Sequence, residues 1–190
     1  PNHEKHKPIL LDLISKMPNK SLHKVSKTDW ELPLDFNRAY LEYFYDNIAT
    51  DIMHQQTKYF NAGNWTISNA WFQQYEKNSA HEYHTHDRAN YTNVYFLELP
   101  DPNFKTSIKV GKKEYNYKVK EGQLITFPAH LLHGSISNGD LRKTVISFNS
   151  NFKYFRFYDP DEIYGKKEQD ELKESYEQSK HNKKERDDKR

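Results

Sequence analysis

The sequence has 190 residues, enough for one domain of ordinary size, and its 29 basic and 27 acidic residues leave a net charge of only +2. This balance gives no general attraction to nucleic acid or to an acidic membrane. Cysteine is absent, which excludes disulfides and thiolate metal sites, and no apolar run approaches the roughly 20 residues of a membrane span.

The first strong periodic signal predicts a helix over residues 35–59. Apolar residues recur there at intervals of four, which places them on one helical face: Tyr40, Phe44, Ile48 and Ile52. Asp35 stands at the beginning of this segment and is a candidate N-cap.

The period changes from that of a helix to that of a strand after residue 61. Alternate residues of the next segment are predicted to share one strand face: Trp65, Ile67, Asn69, Trp71, Gln73 and Tyr75. Further short extended runs cover 93–99, 106–110, 115–120, 123–127 and 143–149, with 154–158 as another candidate. Helical residues followed by many short strands indicate a β-sandwich or barrel with helices packed on one side.

The composition changes again near residue 166. The remaining segment is rich in charges of both signs and has almost no apolar residues. Such a segment cannot bury enough apolar surface to offset the entropy of ordering it. We therefore expect a single domain over 1–165 and a charged tail over 166–190, helical or disordered, that contributes little to stability.

Three histidines stand close together in the segment AHEYHTHD, at the start of a predicted strand. In a strand, His84 and His86 would project from the same face about 7 Å apart. A third ligand must come from elsewhere, and His130 and His133 follow the predicted strand 123–127 and a proline turn. This pattern predicts a metal site whose nitrogen ligands suit Fe, Zn, Cu or Ni. Three protein ligands would leave open positions, as catalysis requires, whereas a structural zinc normally has four.

Three segments taken together carry a resemblance to a known family. The order QYEKNSAHEYHTHDRANYTNVYFLELP, then EGQLITFPAHLLHG, then RKTVISFN resembles the 2-oxoglutarate-Fe(II) oxygenases, in particular the His-x-His oxygenases common in bacteria and marine phages. The resemblance covers roughly residues 64–150. It implies a mainly β fold, the double-stranded β-helix or jelly roll, with N-terminal helices on one side and iron at one open end. The implied activity is a dioxygenase reaction that hydroxylates a substrate while 2-oxoglutarate becomes succinate and CO2.

The resemblance implies that His84, His86 and His133 are the Fe(II) ligands. Many members of the wider superfamily have an aspartate or a glutamate where His86 stands. Asp87 should point to the opposite face of the strand unless a bulge shifts it. Glu82 shares the face of His84 and could support it from the outer shell of the site.

The resemblance further implies a basic residue on the strand after the last histidine, which binds the far carboxylate of 2-oxoglutarate. Aligning the chain on SFN selects Lys143, whose face also carries Ser147 and Asn149, whereas an Arg-x-Thr spacing selects Arg142 with Thr144. Adjacent residues of a strand face opposite ways, so only one cation can enter the barrel. A buried carboxylate needs such a partner, and Lys143 is preferred.

The remaining expectations concern Tyr75, the partners and the location. Tyr75 matches a tyrosine that often contacts the cosubstrate in the family, or is a core aromatic. The expected partners are 2-oxoglutarate and O2, while the substrate remains open among a protein residue, a nucleobase and a metabolite. No membrane partner or strong nucleic-acid signature is found. Without the apolar stretch of a signal peptide, a cytoplasmic location is expected, in the host if a phage encodes the chain. Segments 23–35 and 100–115 are candidate lids.

Two alternatives remain open from the residues. A cupin-like metal protein without 2-oxoglutarate would share the barrel, and Gly122, Pro128 and His133 match part of a cupin motif. It would not require the cation at position 142 or 143. A non-catalytic jelly-roll binding protein is the second alternative, and it would retain no iron.

Overall fold

The protein combines a helical layer with two antiparallel sheets. The computed structural model describes residues 2–18, 20–22, 24–33 and 35–155. None of the helices within these ranges is long and apolar enough to cross a membrane. The predicted tail over 166–190 and most of the candidate strand 154–158 lie outside the described residues.

Nine strands among the described residues form the two sheets. The five-stranded sheet has the order β1–β2–β9–β4–β7 and consists of β1 (Lys27–Thr28), β2 (Ala62–Tyr75), β4 (Tyr91–Glu98), β7 (Leu124–Pro128) and β9 (Lys143–Phe155). The four-stranded sheet has the order β3–β8–β5–β6 and consists of β3 (His81–His84), β5 (Thr106–Val110), β6 (Lys113–Tyr115) and β8 (Leu132–Ser135). This architecture confirms the predicted mainly β class with two antiparallel sheets.

The predicted strand over 115–120 is wrong in its extent. The strand observed there, β6, pairs with β5 and ends at Tyr115. Beyond it, the Asn116 side chain accepts a hydrogen bond from the Ser107 hydroxyl at 2.7 Å. The alternating pattern continues past Tyr115 in the sequence, but residues 116–120 are not part of a strand.

The helical layer consists of α1 (His3–Ser15), α2 (Ala39–Phe44), a π-helical turn (Tyr45–Ala49) and α3 (Thr50–Tyr59). The predicted helix 35–59 therefore begins four residues late, and Asp35 does not cap it. Arg38 occupies the N-cap position without a side-chain cap, and its guanidinium instead donates to the carbonyls of Pro33 and Phe36. These bonds hold the preceding residues in a loop.

The π-helical turn shifts the buried face of the helical segment by one residue. Phe44 and Ile48 are fully buried as predicted, whereas Ile52 is half-buried and Met53 takes its place in the core. The backbone N–H of Thr50 donates to a carbonyl five residues back, which inserts one extra residue into the turn. The spacing of four residues between buried side chains therefore does not continue beyond the π-helical turn.

Two hydrophobic cores lie on opposite faces of the five-stranded sheet. One joins the helices to the sheet and includes Ile146 and Phe148 of β9. The other lies inside the barrel and includes Val145 and Tyr75. Because residues alternate along a strand, Lys143 is also on the interior side of β9. The barrel interior is thus reached by the odd-numbered residues at the start of β9.

The predicted single face of β2 is wrong. Trp65 and Ile67 pack with the helix-side core. Phe72 packs there too, although a regularly alternating strand would place residues 65 and 72 on opposite faces. Trp71 and Tyr75 lie on the barrel side. The alternation therefore changes within β2, and only the last residues of the strand face the barrel interior.

Candidate metal centre

Three histidines come together at one end of the barrel. One nitrogen atom from each of His84, His86 and His133 lies within 4.8 Å of the other two. The ring centroids of His84 and His133 are 4.3 Å apart, and His86 is 5.0 Å from each. This spacing is suitable for one ion, since metal–nitrogen bonds are about 2 Å long.

Pairing between β3 and β8 places two of these side chains directly opposite each other. His84 and His133 are cross-strand partners in the antiparallel register. His86 arrives differently, because β3 ends at His84 and the backbone N–H of His86 donates to Ala129 O at 2.9 Å. The expectation that His84 and His86 share one strand face is therefore wrong, although both reach the same point.

The close approach of β3 and β8 depends on a glycine. A Cβ built on Gly134 would lie 2.9 Å from His81 O and 3.3 Å from Tyr83 Cα. The register also shifts between His81 and His84. Because Gly134 has no side chain, β3 can approach β8 closely beside His133.

Hydrogen bonds to the backbone orient two of the three rings. His84 Nδ1 donates to Glu82 O at 2.8 Å, and His133 Nδ1 donates to Leu131 O at 2.9 Å. These bonds place the proton on Nδ1, so that each Nε2 keeps a lone pair. His86 Nε2 is buried and has no hydrogen-bond partner among the described residues. A buried nitrogen in this position fits a metal ligand.

Burial keeps two of the rings neutral. Desolvation lowers the pKa of His86 to about 3, with smaller contributions from His133 and His84. Desolvation also lowers the pKa of His133 to about 4, against an opposing effect of its bond to Leu131. At neutral pH these imidazoles are therefore unprotonated, which is the form that binds metals.

No carboxylate joins the three histidines among the described residues. Asp87 is almost fully exposed and lies 3.7 Å from Arg88. The carboxylate of Glu82 accepts from Lys24 at 2.6 Å, and its backbone carbonyl accepts from His84 Nδ1. The ligand set is therefore neutral, and a divalent ion bound there would retain its full charge.

The other two histidines of this region are outside the group. His130 is exposed. His81 stacks on His84 with a centroid separation of 4.1 Å, and its Nδ1 lies 2.9 Å from Gln73 Nε2. The sequence placed Gln73 on a strand face but did not indicate that it contacts a histidine of this region, because no spacing rule connects the two.

Lys143 is buried deep in the barrel, with 1% of its surface exposed. Its Nζ donates to Phe104 O at 2.8 Å and to the Ser135 hydroxyl, and it lies 4.0 Å from the centroid of the Tyr75 ring. Desolvation lowers its pKa to about 7. No acidic side chain pairs with it among the described residues. The preceding residue, Arg142, is instead half-exposed and paired with an acidic side chain.

Arg142 points outward and forms a two-pronged ion pair with Glu98, at 2.7 and 3.1 Å. Thr144 donates to the same carboxylate, because Glu98 lies opposite Thr144 in the register of β4 and β9. Arg142 and Thr144, the alternative pair for binding the cosubstrate, therefore lie on the outer face of the sheet and not inside the barrel.

A small inner cavity connects the histidines with the surroundings of Lys143. Its lining includes the three histidines together with Tyr75, Ser135 and Ser147. Asn149 is buried on the same face of β9, where it accepts from Thr92 Oγ1 at 2.9 Å. The residues named from the sequence for cosubstrate binding are thus distributed along one interior wall, with the exception of Arg142.

A second cavity of about 300 Å³ opens next to the histidines, and we call it the entrance cavity. Trp30 and Trp71 line it, with their ring centroids 4.4 Å apart, and Trp71 lies 5.3 Å from His86. Trp30 belongs to the first candidate lid, 23–35. The second candidate, 100–115, is not a single loop, because it contains β5 and β6.

Comparison with known proteins gives a likeness in structure without one in sequence. No family model and no curated protein matches the chain. A 2OG-Fe(II) oxygenase family oxidoreductase from Burkholderia pseudomallei matches with a TM-score of 0.60 at 12% identity, covering 80% of this chain and 82% of that one. The viral collagen prolyl hydroxylase of Paramecium bursaria Chlorella virus-1, in its 2OG complex, matches with a TM-score of 0.54 at 12% identity, covering 77% and 90%. A prolyl-4-hydroxylase from Pseudomonas putida matches with a TM-score of 0.52 at 12% identity, covering 81% and 88%.

These likenesses show that the chain has the jelly-roll fold of 2OG-Fe(II) oxygenases, as the sequence predicted. At such low identity they show the fold alone, and function has to be argued from the site.

Proposed function

We propose that this protein is an Fe(II)- and 2-oxoglutarate-dependent dioxygenase that hydroxylates its substrate. The observation that carries the proposal is a buried lysine, with no acidic partner among the described residues, whose neighbours Tyr75 and Ser135 line a cavity together with the three histidines. Metal and cosubstrate would thus be bound by separate residues of one barrel interior.

The three histidines are suited to hold iron. Burial keeps the imidazoles of His86 and His133 neutral, and the buried Nε2 of His86 lacks another partner among the described residues. Three ligands leave positions open for a cosubstrate and for O2. When bound there, Fe(II) would supply the activation of O2 that C–H hydroxylation requires. The neutral ligand set would also attract an anionic cosubstrate, because it leaves the charge of the ion uncompensated.

Lys143 is suited to hold the far carboxylate of 2-oxoglutarate. A carboxylate enclosed in a barrel needs a charged partner, and Lys143 provides an ammonium group that no described acidic side chain neutralises. Ser135 and Tyr75 touch that ammonium group and also line the inner cavity. They would position Lys143 toward the cosubstrate.

The buried lysine also favours this proposal over the cupin-like alternative. A metal protein that does not bind 2-oxoglutarate has no need of a cation in the barrel, and burying one is costly. Here the cost is visible in the lowered pKa of Lys143. A cation kept in such a place indicates an anionic ligand.

The proposal is tested by anaerobic reconstitution with Fe(II), followed by titration with 2-oxoglutarate and then by measurement of succinate after admission of air. We expect binding of 2-oxoglutarate that depends on the metal, and slow formation of succinate even without substrate. Lys143→Ala should weaken 2-oxoglutarate binding by about tenfold or more, since a hydrogen bond to a charged group contributes roughly 1.5–3 kcal/mol.

Arg142→Ala is the matched control, because the two cations are adjacent in sequence and Arg142 only pairs with Glu98 on the outer face. It should leave the affinity for 2-oxoglutarate unchanged. Equal, wild-type-like affinity in both variants, or the absence of metal-dependent 2-oxoglutarate binding, would refute the proposal.

A further inference from the structure

The entrance cavity continues into a larger surface groove away from the metal centre. This outer groove has a volume of about 750 Å³, and it shares Trp30 and Trp71 with the entrance cavity. The two tryptophans therefore lie between the histidines and the groove. Trp30 is 45% exposed, so part of its ring is open to a ligand in the groove. A ligand in the groove would reach the metal centre by passing along this pair.

One wall of the outer groove is an open edge of the five-stranded sheet. β1 covers β2 only opposite Gln73 and Gln74. The next edge position, Phe72, has its backbone N–H bonded to Asp29 Oδ1 and its carbonyl bonded to Thr28 Oγ1. Two residues further along lies Ala70, which lines the groove.

Residues two apart in a strand direct their backbone groups to the same side. Ala70 therefore presents an N–H and a C=O along the edge beyond the end of β1. Such an edge is a template for an added strand. An extended peptide is the ligand that can pair with it, since it offers backbone donors and acceptors at the same spacing.

The charges of the groove point to a basic ligand. Arg38 is neutralised by the fully buried carboxylate of Asp29 at 2.9 Å. The remaining charged residues of the lining are Asp35 and Glu42, both exposed and neither in an ion pair among the described residues. Together with the exposed face of Trp30 they favour a cationic side chain, through opposite charge and through cation–π contact. The phosphates of a nucleic acid would be repelled.

We propose that the outer groove binds an extended peptide segment with basic side chains, which adds to the open edge of β2 and directs one residue past the tryptophan pair to the metal centre. The proposal rests on the proposed function for the reaction at that centre, but the binding itself does not require catalysis. It names the substrate class as a basic polypeptide segment.

The test uses the full chain and a fluorescein-labelled ten-residue peptide of alternating lysine and alanine, with binding followed by anisotropy. The matched probes are the same peptide with glutamate in place of lysine and a labelled ten-nucleotide thymidine strand. We expect the basic peptide to bind at least tenfold more tightly than either, and its affinity to fall as salt is raised. Equal or tighter binding of the acidic peptide or of the thymidine strand would overturn the proposal.

The double variant Asp35→Asn/Glu42→Gln isolates the contribution of charge. It should lower the affinity for the basic peptide by roughly fivefold to tenfold. The control Asp46→Asn/Asp51→Asn makes the same change in net charge at exposed positions of the same helical segment that do not line the groove. It should change the affinity by less than about twofold. A loss of equal size in both variants would mean that only the net charge matters, and would overturn the proposal.

Strand addition is tested without altering the protein. Two versions of the basic peptide are N-methylated, one at every lysine and the other at every alanine, which removes the backbone donors of one edge at a time. One version should bind about tenfold more weakly, since two hydrogen bonds of about 1 kcal/mol each are lost or strained. Unchanged affinity of both versions would overturn pairing with β2.

The failure of this inference can be told from the failure of the proposed function. If basic peptides bind through the groove but no succinate forms, the groove assignment stands and the oxygenase proposal fails. If succinate forms but the peptides do not bind, the reverse holds.

Discussion

His133 is the most deeply buried of the three candidate ligands and stands directly across from His84. We predict that His133→Ala lowers the affinity for Co(II), a redox-stable substitute for iron, by more than about 100-fold. Loss of a mere supporting contact typically costs 10–100-fold, and loss of a ligand should cost more. Isothermal titration calorimetry measures the change. His130→Ala, at an exposed position three residues away, should bind as the unmodified protein does, and equal affinities in the two variants would contradict the assignment.

We predict that Lys143 makes the proposed binding of 2-oxoglutarate dependent on pH. Its pKa is lowered to about 7 by burial, and only the protonated form can pair with a carboxylate. Below pH 7 the amine is already charged and the affinity should be flat; above pH 7 each unit should weaken binding by up to about tenfold. Calorimetry on the Co(II)-loaded protein at pH 6.5 and 8.5 measures this difference. A guanidinium stays charged throughout, so Lys143→Arg should remove the dependence, and an unchanged slope in that variant would refute the role.

Between β3 and β8, Gly134 sets how closely the strands that carry two of the ligands can approach. We predict that Gly134→Ala destabilises the protein by roughly 1–3 kcal/mol, since the added Cβ would overlap His81 O. It should also weaken Co(II) binding by moving β3 away from His133. The control Gly111→Ala has open space but a φ of +59°, so it should lower stability by about 1–2 kcal/mol without changing metal affinity. Chemical denaturation and calorimetry separate the two effects, and equal metal affinities would argue against the spacing role.

The π-helical turn determines which residue of α3 enters the core. Met53 is fully buried whereas Ile52 is only half-buried. Met53→Ala should therefore cost roughly 2–5 kcal/mol of unfolding free energy, and Ile52→Ala clearly less. Urea denaturation of both variants gives the comparison. A larger loss of stability in Ile52→Ala than in Met53→Ala would mean that the helical segment keeps a regular spacing of four residues and that the π-helical turn does not form.

For the molecule as a whole, ligands that bind only the folded state should raise its melting temperature. The three candidate metal-binding histidines come from β3, β8 and the segment after β3, so the unfolded chain has no comparable site. A ligand at 100 times its dissociation constant contributes about 2.7 kcal/mol. For a chain of this size we expect Co(II) with 2-oxoglutarate to raise the melting temperature by roughly 5–10 °C. Differential scanning fluorimetry with a chelator control tests it, and an unchanged melting temperature at saturating ligand would contradict a site formed by folding.

The mainly β class, the position of most strands and the three histidines that come together could all be predicted from the sequence alone. These features depend on local rules: alternation in strands, periodicity in helices, and the restriction of metal chemistry to histidines and carboxylates in a chain without cysteine. The jelly-roll fold was implied by the resemblance to the 2-oxoglutarate-Fe(II) oxygenases, and the structural neighbours bear it out.

How those residues are placed depends on contacts that form only when the chain folds. His86 reaches the centre from beyond the end of β3, because its backbone is held by Ala129 and not by strand pairing. Asp87 stays in solvent, so no carboxylate enters the ligand set. Just before β9, Arg142 turns outward to pair with Glu98, which lies opposite Thr144 in the sheet, and the alternation of residues then leaves Lys143 inside the barrel. Long-range contacts of this kind join residues more than 40 positions apart, and no local pattern in the chain records them.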